Sequence, residues 1–135
     1  MALEKFSFTT ARGSVRLSFG EEVTVEALGR YFALDIPAPR SVAVSDELLL
    51  FVSDTDGDNF SAYTLGGEFA FGLSQLGVSE TLLGGSVMSA AEAIRFLSRY
   101  PDTKVIADHS YYLATTVTYK MILLDLTARE VVYGG

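Results

Sequence analysis

The chain has 135 residues, 49% hydrophobic and 20% charged, with no cysteine, a single histidine and a formal net charge of −7. This size sets the expectation of one domain over residues 1–135, and the apolar content excludes a disordered chain. Disulfide scaffolds, thiol nucleophiles and thiolate metal sites are excluded, multi-histidine metal centres fall with them, and the acidity argues against binding nucleic acid through its phosphates.

The first residues, MALEKFSF, carry charges at Glu4 and Lys5 and have no apolar core of the kind a secretory leader needs. No stretch is apolar for the length of a membrane span. A cytoplasmic protein with no membrane partner is therefore expected. Arginine outnumbers lysine seven to three, which suits a GC-rich, bacterial coding sequence.

Alternation of Phe6, Phe8, Val15, Leu17 and Phe19 with polar residues predicts a hairpin over residues 5–19, turning at Arg12-Gly13. Residues 21–33 are expected to form a short helix. Val25, Leu28 and Phe32 fall three to four apart, and glutamates occupy the first turn. Pro37 and Pro39 end that element. Residues 41–73 read as a meander of three strands, 41–53 (bent at Asp46-Glu47), 60–65 and 68–73, with turns at 54–58 and Gly66-Gly67. Glycines at 77, 84 and 85 make residues 74–88 a loop, with room for one turn of helix. Ser89 and Glu92 form a capping box for a helix over 89–100, lined by Ala90, Ala93, Ile94 and Leu97 and stopped by Pro101. Strands follow at 104–107, 111–118, 120–126 and 130–133, and because Tyr119-Lys120 carries no glycine the middle two read as one long bent strand.

The predicted fold is thus α+β, a mainly antiparallel sheet built from β-meanders in the order ββ-α-βββ-α-βββ, with two helices packed on one face. An internal echo accompanies it. Pro39, Asp46, Glu68 and Gly72 recur 62 residues later as Pro101, Asp108, Glu130 and Gly134, as a duplicated meander would leave them. Residues 39–72 carry Val42-Ala43-Val44, the run Phe51 to Asp54, Asn59, Tyr63, Gly67-Glu68-Phe69 and Gly72. In these the segment resembles a single blade of an NHL-type β-propeller. The resemblance implies a β-meander and no particular activity.

Charge is unevenly placed. Residues 41–94 contain eight acidic residues and no Lys or Arg, a net of −8, and the remainder is close to balanced. Such a field draws cationic partners. The expected function is a small acidic, non-enzymatic binding protein that engages a basic protein partner through this segment, as immunity proteins do. Asp54, Asp56, Asp58 and Glu68 are the partner-binding candidates. The alternative is a small-molecule-binding domain whose pocket lies between sheet and helices, lined by Tyr31, Phe32, Tyr111 and Tyr112, for a cationic or neutral ligand.

Other motifs count for less. Asp54-Thr55-Asp56-Gly57-Asp58-Asn59 opens like a calcium loop, but Asn59 stands where glycine is needed and Leu65 where glutamate is needed. No metal and no cofactor are implied. Gly84-Gly85-Ser86 before a capped helix lacks the lysine of a phosphate loop. Asp108-His109-Ser110 cannot form a triad internally, since strand neighbours face opposite ways. The terminal Gly134-Gly135 resembles the tail of ubiquitin-like modifiers. Carboxylate-only catalysis by two of Asp54, Asp56, Asp58 and Glu68 would need burial to drive their pKa values apart. Finally, the apolar run Val131-Val132-Tyr133 at a sheet edge suggests a homodimer.

Overall fold

The computed structural model describes residues 4–36, 39–99 and 104–134. Their strands form three consecutive antiparallel sheets of four strands each. The first holds β1 (Glu4–Thr10), β2 (Gly13–Phe19), β3 (Val23–Ala27) and β4 (Arg30–Leu34). The second holds β5 (Pro39–Val44), β6 (Leu48–Ser53), β7 (Phe60–Thr64) and β8 (Phe69–Gly72). A one-turn helix α1 (Leu73–Leu76) leads on to β9 (Leu82–Ser89). The third sheet runs β9, β10 (Ser110–Thr116), β11 (Met121–Asp125), β12 (Glu130–Tyr133), with α2 (Ala90–Phe96) and a 3-10 turn (Leu97–Arg99) inserted after β9.

The α+β class and the antiparallel meanders stand; the element order does not. Residues 21–33 are a hairpin, not a helix. Val23, Val25 and Ala27 are buried at a period of two, while Thr24 and Glu26 face outward. Leu28 and Gly29 both have positive φ, 52° and 73°, as a two-residue type I′ turn demands. The stretch 41–53 is two strands, broken at Asp46-Glu47. Its Ser45 hydroxyl accepts the amides of Glu47 and Leu48 and closes the turn. Much of 74–88 is strand, so Gly84 and Gly85 lie within β9 and not at a helix start. Residues 104–107 form no strand, because a turn at Asp108 (φ 69°) brings the His109 amide to the Ile106 carbonyl. The first hairpin turns at Ala11-Arg12, one residue earlier than expected. Pro37 and Pro101, expected to stop elements, lie outside the described residues. The capping box of α2 is present: the Ser89 hydroxyl accepts the Glu92 amide, and Glu92 accepts the Ser89 amide.

The sheets stack face to face, with the second in the middle. β6 is buried throughout. Leu49 and Phe51 join Val15, Leu17, Val25 and Leu34 of the first sheet. Leu50 and Val52 join Phe60, Tyr112, Ile122 and Leu124 in the core shared with the third sheet. Burial on both faces is why this strand reads as an unbroken apolar run rather than an alternation. α2 covers the outer face of the third sheet, where Ala93 and Leu97 meet Tyr111 and Leu123. α1 is a connector between the second and third sheets, so the two helices do not share one face of a single sheet. No helix among the described residues is long and apolar enough to cross a membrane.

Residues 39–72, the blade-like segment, form one complete sheet. The 62-residue echo has a structural counterpart in the second and third sheets. Asp46 and Asp108 stand in the turns before each second strand, Glu68 immediately precedes the fourth strand of the second sheet, and Glu130 opens that of the third. The correspondence breaks at the first strands, because α2 separates β9 from β10.

Candidate functional site

Antiparallel strands place the turns at two opposite ends of the stack. One end holds the turn 54–59, α1, residues 80–81 and the turn 117–120. Here Asp54 pairs with the Arg40 guanidinium, and Asp58 Oδ1 accepts the Leu73 amide at 3.0 Å, fixing the start of α1. Asp56 is exposed, and the Thr118 hydroxyl donates to Glu80. Asn59, which the sequence offers as a failed calcium position and as one of the blade-like residues, is buried. Its Nδ2 donates to the carbonyls of Ser53 and Leu82, and its Oδ1 accepts the Leu82 amide. It joins the second sheet to the third.

Glu68 lies at the other end, beyond the length of β7, about 17 Å away at strand spacing. Asp54, Asp56 and Asp58 therefore share a turn, and Glu68 does not join them. Two of those three aspartates also have internal partners. All four carboxylates are exposed, so none has the apolar surroundings that acid–base chemistry would need.

The second end holds the turns 45–47 and 126–129, the start of α2 and residues 108–110. Asp46, Glu47 and Asp108 line a cleft of about 140 Å³ with Ser45, Ser110 and Thr127. Asp46 and Ser110 also border an adjoining cleft of about 210 Å³ that reaches Glu92. Among the described residues, no lysine or arginine lines either cleft. Asp46 Oδ1 accepts the Ala11 amide at 2.8 Å, which ties the first hairpin to this end. Sequence reasoning missed this grouping. The signal was the echo itself: equivalent turns of adjacent stacked meanders lie side by side, which brings Asp46 and Asp108 together.

His109 sits beside this cleft, and its acidic partner is Asp125 rather than its neighbour Asp108. Nδ1 of His109 lies 2.7 Å from Asp125 Oδ2. Asp125 is buried, and its Oδ1 accepts the amides of Thr127 and Ala128 at 2.9 and 2.8 Å. The pair latches the turn 126–129 to residues 108–110.

The four aromatic candidates occupy four different layers. Tyr31 lies on the outer face of the first sheet, 73% exposed. Phe32 packs between the first and second sheets. Tyr112 is buried between the second and third, with its ring 5.3 Å from that of Phe60. Tyr111 lies under α2, its hydroxyl accepting the Ile106 amide at 2.8 Å. They line no common pocket. Burial raises the pKa of Tyr112, and burial assisted by nearby carboxylates raises those of Tyr111 and Tyr63.

Comparison with protein-family models, curated proteins and solved structures returned no match.

Proposed function

We propose that this chain is a non-enzymatic binding protein that engages a basic protein partner through its acidic segment 41–94. One observation carries the reading. Seven of the eight carboxylates in that segment are exposed on turns or on the first turn of α2, while the faces of β6 are wholly buried. The segment thus spends its apolar residues on the core and presents its charge to solvent. Exposed carboxylates in clefts that no described lysine or arginine lines attract cationic side chains of a partner. Asp46, Glu47 and Asp108 at one end, and Asp56 at the other, are the groups best placed to receive lysine or arginine.

The test is titration calorimetry with lysine- and arginine-rich peptides at low and at physiological salt. Two variants are compared: Asp46→Asn/Glu47→Gln/Asp108→Asn, and Asp54→Asn/Asp56→Asn/Asp58→Asn. Binding should weaken with salt and fall about tenfold or more in the first variant. Binding indifferent to salt and to both variants would overturn the proposal.

A further inference from the structure

Among the described residues nothing covers the outer face of the first sheet, and that face is polar. Cross-strand register places Ser7, Arg16, Glu26 and Tyr31 in one row and Lys5, Ser18 and Thr24 in the next. These two rows line a cleft of about 350 Å³, within the size range of small-ligand sites. Its chemistry is unspent. Neither Lys5 nor Arg16 forms an ion pair among the described residues, although the protein carries a net charge of −7. The Tyr31 ring stands 73% exposed beside them.

An adjoining cleft of about 400 Å³ shares Lys5, Ser18, Thr24 and Tyr31 and is bounded by Glu21 and Glu22. Lys5 and Arg16 therefore stand on one side of the face, with Glu26 opposite Arg16 and with Glu21 and Glu22 beyond. A ligand bearing one anion fits that polarity, and a polyanion does not. Guanidinium and ammonium groups hold a carboxylate or phosphate. Small hydroxyls at Ser7, Ser18 and Thr24 and the Glu26 carboxylate suit a ligand rich in hydroxyl groups. An exposed tyrosine offers a flat apolar face with a polar tip.

We propose that this face binds a small saccharide bearing a single anionic group, with the anion on Arg16 and Lys5 and the sugar ring on Tyr31. The site is separate from the acidic segment, and the proposal does not depend on it. Amide chemical shifts of the full chain would be followed while glucuronate, glucose 6-phosphate or glucose is added. At least one anionic sugar should shift residues of β1–β4, with glucose about tenfold weaker or worse. Arg16→Gln and Tyr31→Ala should each weaken that binding about tenfold or more. Both side chains are exposed, so the amide spectrum of each variant should otherwise be kept. Comparing the two anionic sugars separates carboxylate from phosphate recognition. No shifts with either anionic sugar, equal shifts with glucose, or binding unchanged in both variants would overturn the proposal.

Discussion

Asn59 shows how much one buried polar side chain holds in this stack. It makes three hydrogen bonds, all to backbone, two of them to Leu82. Leu82 is the first residue of β9, so Asn59 fixes where the third sheet begins against the second. Asn59→Ala would leave one amide and two carbonyls unpaired where water has no access. Each such group costs about 1–3 kcal/mol. The expected loss is about 3 kcal/mol, read as a lower urea midpoint with an unchanged slope. A change below about 0.5 kcal/mol would mean these backbone groups find other partners. The blade resemblance singles out Asn59, but nothing in the sequence names its partners, because Ser53 and Leu82 are supplied by other strands.

At the level of the element, the β3–β4 hairpin is the instructive case. Two periodicities coexist in residues 21–33. Val25, Leu28 and Phe32 fit a helix, and Val23, Val25 and Ala27 fit a strand. β-Branched residues and Gly29 favour the strand, and pairing of β3 with β2 settles it. The turn carries a residual cost, because Leu28 adopts φ 52° and is exposed. Asparagine tolerates that conformation, and Asn-Gly is the preferred pair for a type I′ turn. Leu28→Asn should therefore stabilise the protein by about 0.5–1 kcal/mol, measured by urea unfolding. Destabilisation would show that Leu28 packs to advantage. Elements bounded by strong local chemistry were legible from sequence: the capped α2, the turn at 54–58 and the blade-like segment 39–72. The break at Asp46-Glu47 was legible only as a bend, because the apolar run beyond it serves two cores. The candidate site was half legible. The charge of segment 41–94 could be read directly, whereas the meeting of Asp46, Glu47 and Asp108 depends on how the sheets stack.

For the molecule as a whole, two consequences follow from stacking the sheets on buried aromatics. The first is alkaline sensitivity. Tyr63, Tyr111 and Tyr112 have pKa values raised above the ordinary 10.0 in the folded state. Above that pH the unfolded chain loses phenolic protons that the folded chain keeps. The unfolded state then binds fewer protons, and stability falls as pH rises. Tyrosinate absorbance of these three should rise together with loss of the sheet signal, and full ionisation of all seven tyrosines before unfolding would contradict this. The second consequence concerns association. Strict alternation in β12 would put Val131 and Tyr133 on one face and Val132 on the other. The register instead sets Leu124 opposite Val131 and Leu123 opposite Tyr133, so Val132 is the extra residue of a bulge. Val131 packs into the core between the second and third sheets, while Val132 and Tyr133 pack on the α2 side, with Tyr133 5.8 Å from Phe96. The apolar side chains that would draw a second copy are thus half-buried against the chain's own cores. What remains is a four-residue edge with a bulge, two devices that discourage strand pairing. Light scattering should therefore give a mass near 14.6 kDa at concentrations of about tens of micromolar. Val132→Lys should lower stability by about 1–3 kcal/mol rather than change that mass. A species of twice the mass that Val132→Lys returns to a monomer would establish the homodimer through β12 instead.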